Sequence, residues 1–344
     1  MLLMSKRAHS LISIIFLMVF ILVSLNSCES NHKPSSPILP SSLSINSPGL
    51  YPEGLAYDRK SHAFYISSVK KGKITKVSLD GKHQVFADDR RLISSLGLKV
   101  DEKRNRLIVC VADPGVGEKS SKSTRGMLAG LMIYNLKNGK KVKYINLGKM
   151  ASGPHVANDL ALDNNGNIYI TDSFSPVIYK VNRKGKTSIL MNDEKIAAPK
   201  GAFGLNGILY HPGGYLIVSN YATRKLYKIP LNNPSGLKEI KIDQKAFTRD
   251  KLTADGLILM DPQTLILASN NLAGGSNGVY KLTSSDHWSS ASVIDKFKTG
   301  NTFPTTLTKA GDQVFVLYSK LHMLFGGNKP EAREFVIRKV QFKK

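Results

Sequence analysis

Residues 158–190 decide the fold. They read Asn158-Asp159-Leu160-Ala161-Leu162, then Asp163-Asn164-Asn165-Gly166-Asn167, then Ile168-Tyr169-Ile170-Thr171. After a break come Val177-Ile178-Tyr179-Lys180-Val181 and Thr187-Ser188-Ile189-Leu190. Each apolar run is short and rich in β-branched and aromatic residues, which predicts strands and not helix. The Asp-Asn-Asn-Gly-Asn stretch tolerates positive φ and predicts a tight turn. Four antiparallel strands are expected from this stretch.

Its opening phrase recurs. The copies are Glu53-Gly54-Leu55, Leu96-Gly97-Leu98, Asn158-Asp159-Leu160, Asn206-Gly207-Ile208, Asp255-Gly256-Leu257 and Thr305-Thr306-Leu307. Such a spacing signals a repeat architecture. Apolar runs follow each copy at 63–66, 107–110, 215–218, 265–268 and 314–317, as at 168–171. Four antiparallel strands per repeat describe a propeller blade. The sequence therefore predicts an all-β protein, a six-bladed β-propeller of four-stranded antiparallel blades over residues 43–344. The last copy runs out after three strands, and Leu43-Ser44-Ile45-Asn46 is expected to supply the fourth and hide an open edge. An open sandwich or barrel is the other architecture for such strands.

The first 27 residues read as a signal peptide, with Lys6 and Arg7 ahead of an apolar stretch from Leu11 to Leu25. Leu25-Asn26-Ser27-Cys28 resembles the lipobox of bacterial lipoproteins, which implies a lipidated Cys28, a membrane anchor and a tether over residues 28–42. Glu29 after the cysteine points to the outer membrane of the cell envelope. The other cysteine, Cys110, sits in an apolar strand and is expected to be buried. The net charge is +24. The basic residues are spread through every repeat, with no basic block interleaved with aromatics. A solvated exterior near anionic lipid or polymer is expected, with no nucleic acid partner and a monomeric chain.

First strands of propeller blades line the central channel. Glu53, Asn158, Asn206 and Asp255 occupy one repeat position, so their side chains are expected to converge at one mouth. An all-oxygen donor set with two carboxylates selects a hard divalent cation. Calcium (Ca2+) comes first, with magnesium, manganese or zinc as alternatives. Tyr221, at the end of a second strand, is placed in the wall of this mouth as a substrate contact. The polar segment 114–126, with Arg125, is a candidate lid.

The motifs Pro52-Glu53-Gly54, Asn158-Asp159, Asn206-Gly207 and Asp255-Gly256 resemble those of the regucalcin/gluconolactonase family of six-bladed propellers, in order and spacing across nearly the whole mature chain. The resemblance implies that Glu53, Asn206 and Asp255 bind a divalent metal and that Asn158 helps hold substrate and water. It implies that Asp255 also serves as proton donor and acceptor in lactone hydrolysis. Gly256 separates the chain from the related paraoxonases, which carry Asn there. Val156 stands where the family's sugar-binding members have a basic residue, and Phe174 lies near the place of their acidic sugar contact. A more apolar lactone or ester is implied.

The expected function is divalent-metal-dependent hydrolysis of a small-molecule lactone or ester at the channel mouth. Asp255 or His155 would take a proton from the attacking water. Arg125 would clamp a substrate carboxylate. The alternative is a non-catalytic propeller lipoprotein of the envelope that holds a ligand at the same mouth. The sequence has no phosphate loop, no Gly-x-Ser-x-Gly elbow and no Cys/His zinc spacing.

Overall fold

The computed structural model describes residues 37–272, 274–327 and 330–343. The signal peptide, Cys28 and most of the tether lie outside them. Residues 38–344 form one compact unit.

Antiparallel pairing groups the described strands into six four-stranded meanders. In the third, His155–Leu162, Ile168–Asp172, Val177–Val181 and Thr187–Asn192 pair in chain order. The sixth consists of Pro304–Ala310, Gln313–Tyr318 and Glu334–Lys339, completed by Ser42–Asn46 from the other end of the chain. That last pairing sets Leu43 opposite Ile337 and Ile45 opposite Phe335, so no edge is left open there. The sheets do not all stop at four strands. A parallel contact at His155–Met127 joins the second and third meanders, and another at Lys241–Ser290 joins the fourth and fifth.

The core shows how the meanders are arranged. Apolar clusters fill the space between each meander and the next. One packs Leu55 and Phe64 of the first against Phe315 and Ile337 of the sixth, which closes the ring. The others pack Tyr65 with Val109, Ile108 with Ile170, Tyr169 with Val218, Ile217 with Leu267, and Ile266 with Val316. The chain is the expected all-β propeller.

Burial falls from the axis outward, and this sorts the sequence. The inner strand of the third meander is buried almost throughout, and Cys110 is fully buried in its neighbour. Outermost strands such as Lys141–Asn146 and Lys238–Asp243 are mostly exposed and carry lysines. Third-strand lysines lie over second-strand tyrosines, Lys228 at 4.4 Å from the Tyr215 ring centre. The basic charge is thus a solvated rim and not a core feature.

Candidate metal centre at the channel mouth

The repeated phrase has a structural cause. In the inner strands of the second to sixth meanders, the pairing register breaks between Ser95 and Leu98, Ala157 and Leu160, Leu205 and Ile208, Ala254 and Leu257, and Pro304 and Leu307. Each break is a bulge, and the two residues inside it are the first two of the phrase. A bulge re-aims a side chain out of the ladder. Here it turns Asn158, Asn206 and Asp255 to the channel. In the first meander, Glu53 and Gly54 precede the inner strand, and the Ser67 hydroxyl accepts from their amides at 3.2 and 2.6 Å. The second position is Gly where neighbouring backbones touch. A Cβ on Gly207 would lie 1.9 Å from the Asp255 carbonyl oxygen, and one on Gly54 would lie 2.4 Å from that of Leu96.

Glu53, Asn158, Asn206 and Asp255 line one cavity together with Tyr221. All four are buried, and each keeps one side-chain oxygen without a hydrogen-bond partner: Glu53 Oε2, Asn158 Oδ1, Asn206 Oδ1 and Asp255 Oδ1. Buried acceptors are normally satisfied. The orphaned atoms are fixed by what holds their partners. Asn158 Nδ2 donates to Ser173 Oγ at 2.8 Å, and that hydroxyl donates to the Leu205 carbonyl, so the Asn158 oxygen is left for the cavity. Asp255 Oδ2 accepts from Asn270 Nδ2 at 2.6 Å, and the Tyr221 hydroxyl donates to Asn270 Oδ1.

Electrostatics point the same way. Burial, reinforced by Asp255 and Asp159, pushes the Glu53 carboxyl well above the usual carboxylate range. Burial pushes Asp255 up to about 8, opposed by the Asn270 amide and reinforced by Asp159. Asp159 is raised by burial and held down in part by Lys99, whose Nζ lies 4.0 Å away. Three buried carboxyls face one ammonium. With all ionised, the local charge is short by two, which one divalent cation would balance. Among the described residues no group of three His, Cys, Asp or Glu side chains could hold a metal. The donor set that does converge has two carboxylates and two carboxamides, chemistry that fits a hard cation and not a thiophilic one.

A family scan matches residues 51–304 to the SMP-30/gluconolactonase/LRE-like region. The chain belongs to this family. A search of curated proteins finds no match. Solved structures share the fold at low identity. The major allergen Mala s 1 of Malassezia sympodialis is 17% identical, over 88% of this chain and 97% of that one, with a TM-score of 0.65. A calcium-binding regucalcin of Agrobacterium tumefaciens is 16% identical, over 89% and 96%, at 0.59. The gluconolactonase XC5397 of Xanthomonas campestris is 14% identical, over 88% and 89%, at 0.60.

Against this family frame, not every residue singled out from the sequence reaches the cavity. His155 is buried with both ring nitrogens engaged, Nδ1 at 2.7 Å from Asp172 Oδ2 and Nε2 at 2.9 Å from the Ala151 carbonyl, and it does not line the site. Burial works against its charged form, but the Asp172 carboxylate outweighs it and the pKa rises. Arg125 is exposed and also lies outside the lining, its aliphatic stem close to Gly115. The segment 114–126 folds back on Asp113, which accepts from Ser120 Oγ at 2.9 Å and Thr124 Oγ1 at 2.6 Å; only Pro114 of it lines the cavity. The cover comes instead from a short helix in the sixth meander, Leu321–Phe325, with Phe203 facing it. These residues lie outside the repeated phrase, and no sequence periodicity marks them. Asp159 was legible: it stands in the phrase where four copies have Gly.

Proposed function

We propose that this protein is a divalent-cation-dependent hydrolase of a lactone or carboxylic ester, with calcium as the first candidate cation. The observation that carries the reading is the set of four orphaned oxygens, brought from four meanders to one cavity. Glu53, Asn206 and Asp255 would hold the cation, with Asn158 completing the set or holding substrate. A cation bound there supplies Lewis acidity to the scissile carbonyl.

The chain's own residues handle the proton. Asp255 Oδ2 is tied to Asn270; Oδ1, which would offer one lone pair to the cation, keeps a second with which it would take a proton from an attacking water. Water's oxygen forms the new bond to the carbonyl carbon. When the acyl–oxygen bond breaks, the same carboxyl returns the proton to the leaving alkoxide. Asn270 keeps the carboxyl from rotating between the two transfers. His155 has no ring nitrogen to spare for this work, and its bonds to Asp172 and Ala151 support a structural role.

Elemental analysis of purified protein, with a panel of lactones and aryl esters assayed with and without chelator, tests the reading. About one divalent ion per chain and chelator-sensitive turnover are expected. A cation without any turnover would leave the ligand-binding alternative. We also propose, from the sequence, that Cys28 carries a lipid and anchors the protein in the bacterial envelope. Fatty-acid labelling that survives Cys28→Ala would end that part.

A further inference from the structure

Above its polar floor the cavity is apolar on every side. Leu96, Phe203, Phe303, Leu321 and Phe325 are among its walls, and the described residues that line it include no lysine, arginine or histidine. Two donors of the polar floor are already committed: Asn158 Nδ2 is given to Ser173, and the Tyr221 hydroxyl donates to Asn270.

The aromatic part of the wall is built from separate pieces of chain. Phe203 precedes the inner strand of the fourth meander, and its ring packs on Phe174 at 5.2 Å and on Phe325 of the Leu321–Phe325 helix at 5.8 Å. Phe303 precedes the inner strand of the sixth and packs on His322 of the same helix at 5.4 Å. Phe303 is held at φ +55°, and Lys320, which enters the helix, at +53°. A bulky residue in the left-handed region before a proline is strained, and such strain persists where the surroundings over-determine it. Two strained residues therefore set an aromatic wall and its cover over the floor.

We propose that this wall selects an uncharged substrate with an apolar body, an alkyl- or aryl-substituted lactone or ester, against a polyhydroxylated sugar lactone. The proposal rests on the hydrolase reading of the same floor. The floor supplies acceptors and a cation, which suit one carbonyl. The walls supply contact to carbon. A sugar lactone would set several hydroxyls against surfaces that cannot hydrogen-bond them. Phe203 and Phe325 are the specificity residues, half-buried at the rim, each packed on the edge of an inter-meander cluster without belonging to its fully buried part.

The test compares a medium-chain alkyl γ-lactone with glucono-δ-lactone on the full chain loaded with calcium. A kcat/KM preference of about a hundredfold for the alkyl lactone is expected, and Phe203→Ala or Phe325→Ala should cut the ratio roughly tenfold. A preference for glucono-δ-lactone, or variants that leave the ratio unchanged, would overturn the proposal. If neither lactone is turned over, calorimetry with the corresponding alkyl γ-lactam decides. Binding that weakens in Phe325→Ala keeps the substrate class and removes only the hydrolase reading. No lactam binding ends the selectivity proposal.

Discussion

His155 and Asn158 lie three residues apart on one inner strand, yet they belong to buried polar clusters built on opposite terms. Around His155 every group is answered. Asp172 Oδ1 accepts from the Val156 amide at 2.8 Å, and its Oδ2 meets the His155 ring and the Tyr179 hydroxyl at 2.7 and 2.9 Å. Around Asn158, four meanders each leave an oxygen with no partner. A closed cluster fastens a strand to its neighbours. An open cluster costs stability unless something else fills it. The sequence offers His155 as a candidate proton acceptor, but both its ring nitrogens are engaged here, and the unsatisfied set is the candidate site.

The comparison breaks most sharply at Asp255. Asp255→Asn keeps the shape and removes both a proposed cation ligand and the proposed proton acceptor. Turnover should fall about 10³-fold or more, with bound metal lost. The metal-free variant should melt at or above the temperature of the metal-free parent, since a buried carboxyl near Glu53 and Asp159 is gone. Retained turnover with metal still bound, read by kinetics and elemental analysis, would move the acceptor elsewhere.

Next in size is the pH response of the open cluster. Folding raises Asp255 from its ordinary 3.8 to about 8, and it raises Glu53 in the same direction. Between those limits the folded, metal-free chain binds more protons than the unfolded one. The cluster's own contribution to stability is therefore full below about pH 4 and declines as pH rises toward 8, by a few kcal/mol. Calcium needs the carboxylates ionised, so its binding should release protons and raise Tm more at pH 8 than at pH 5. Melting curves in chelator and in calcium check both signs. Identical curves would remove the cation from the site.

The closed cluster should behave in the other way. His155→Ala leaves Asp172 and Tyr179 without a shared partner and opens a cavity, at a cost of about 2–4 kcal/mol. Tm should fall, while kcat per folded molecule below the transition changes little. A collapse of kcat with Tm unchanged would put His155 back among the reacting groups.

How much of this was legible in the sequence follows from periodicity. The strands and the four donors recur at fixed places, so reading one repeat gives the others, and equivalent positions on a ring converge. The bulges behind Asn206 and Asp255 carry Gly207 and Gly256 of the same phrase, whose missing side chains admit a neighbouring backbone. The cavity walls are another matter. Phe203, Leu321 and Phe325 lie in connections that differ from meander to meander, and nothing local says which loop reaches inward. Segment 114–126 is long and polar, which suggested a lid, but Asp113 supplies enough acceptors to fold it back on itself.

The smallest effect sharpens the boundary between the two clusters. Tyr221 lines the open cavity, but its hydroxyl donates to Asn270, whose amide holds Asp255. Asn270 is also fixed from two other directions: Nδ2 donates to the Pro304 carbonyl at 3.1 Å, and Oδ1 accepts from the Leu272 amide at 3.4 Å. Losing the tyrosine hydroxyl therefore loosens the amide without turning it over. Tyr221→Phe should lower kcat about three- to tenfold, about 1 kcal/mol, with metal content unchanged. Asn270→Ala removes the relay itself and should lower kcat further, while its freed Asp255 oxygen shifts the acidic limb of the pH profile upward. If Tyr221→Phe instead raises KM alone, the hydroxyl touches substrate directly, and the relay holding the proton acceptor does not run through it.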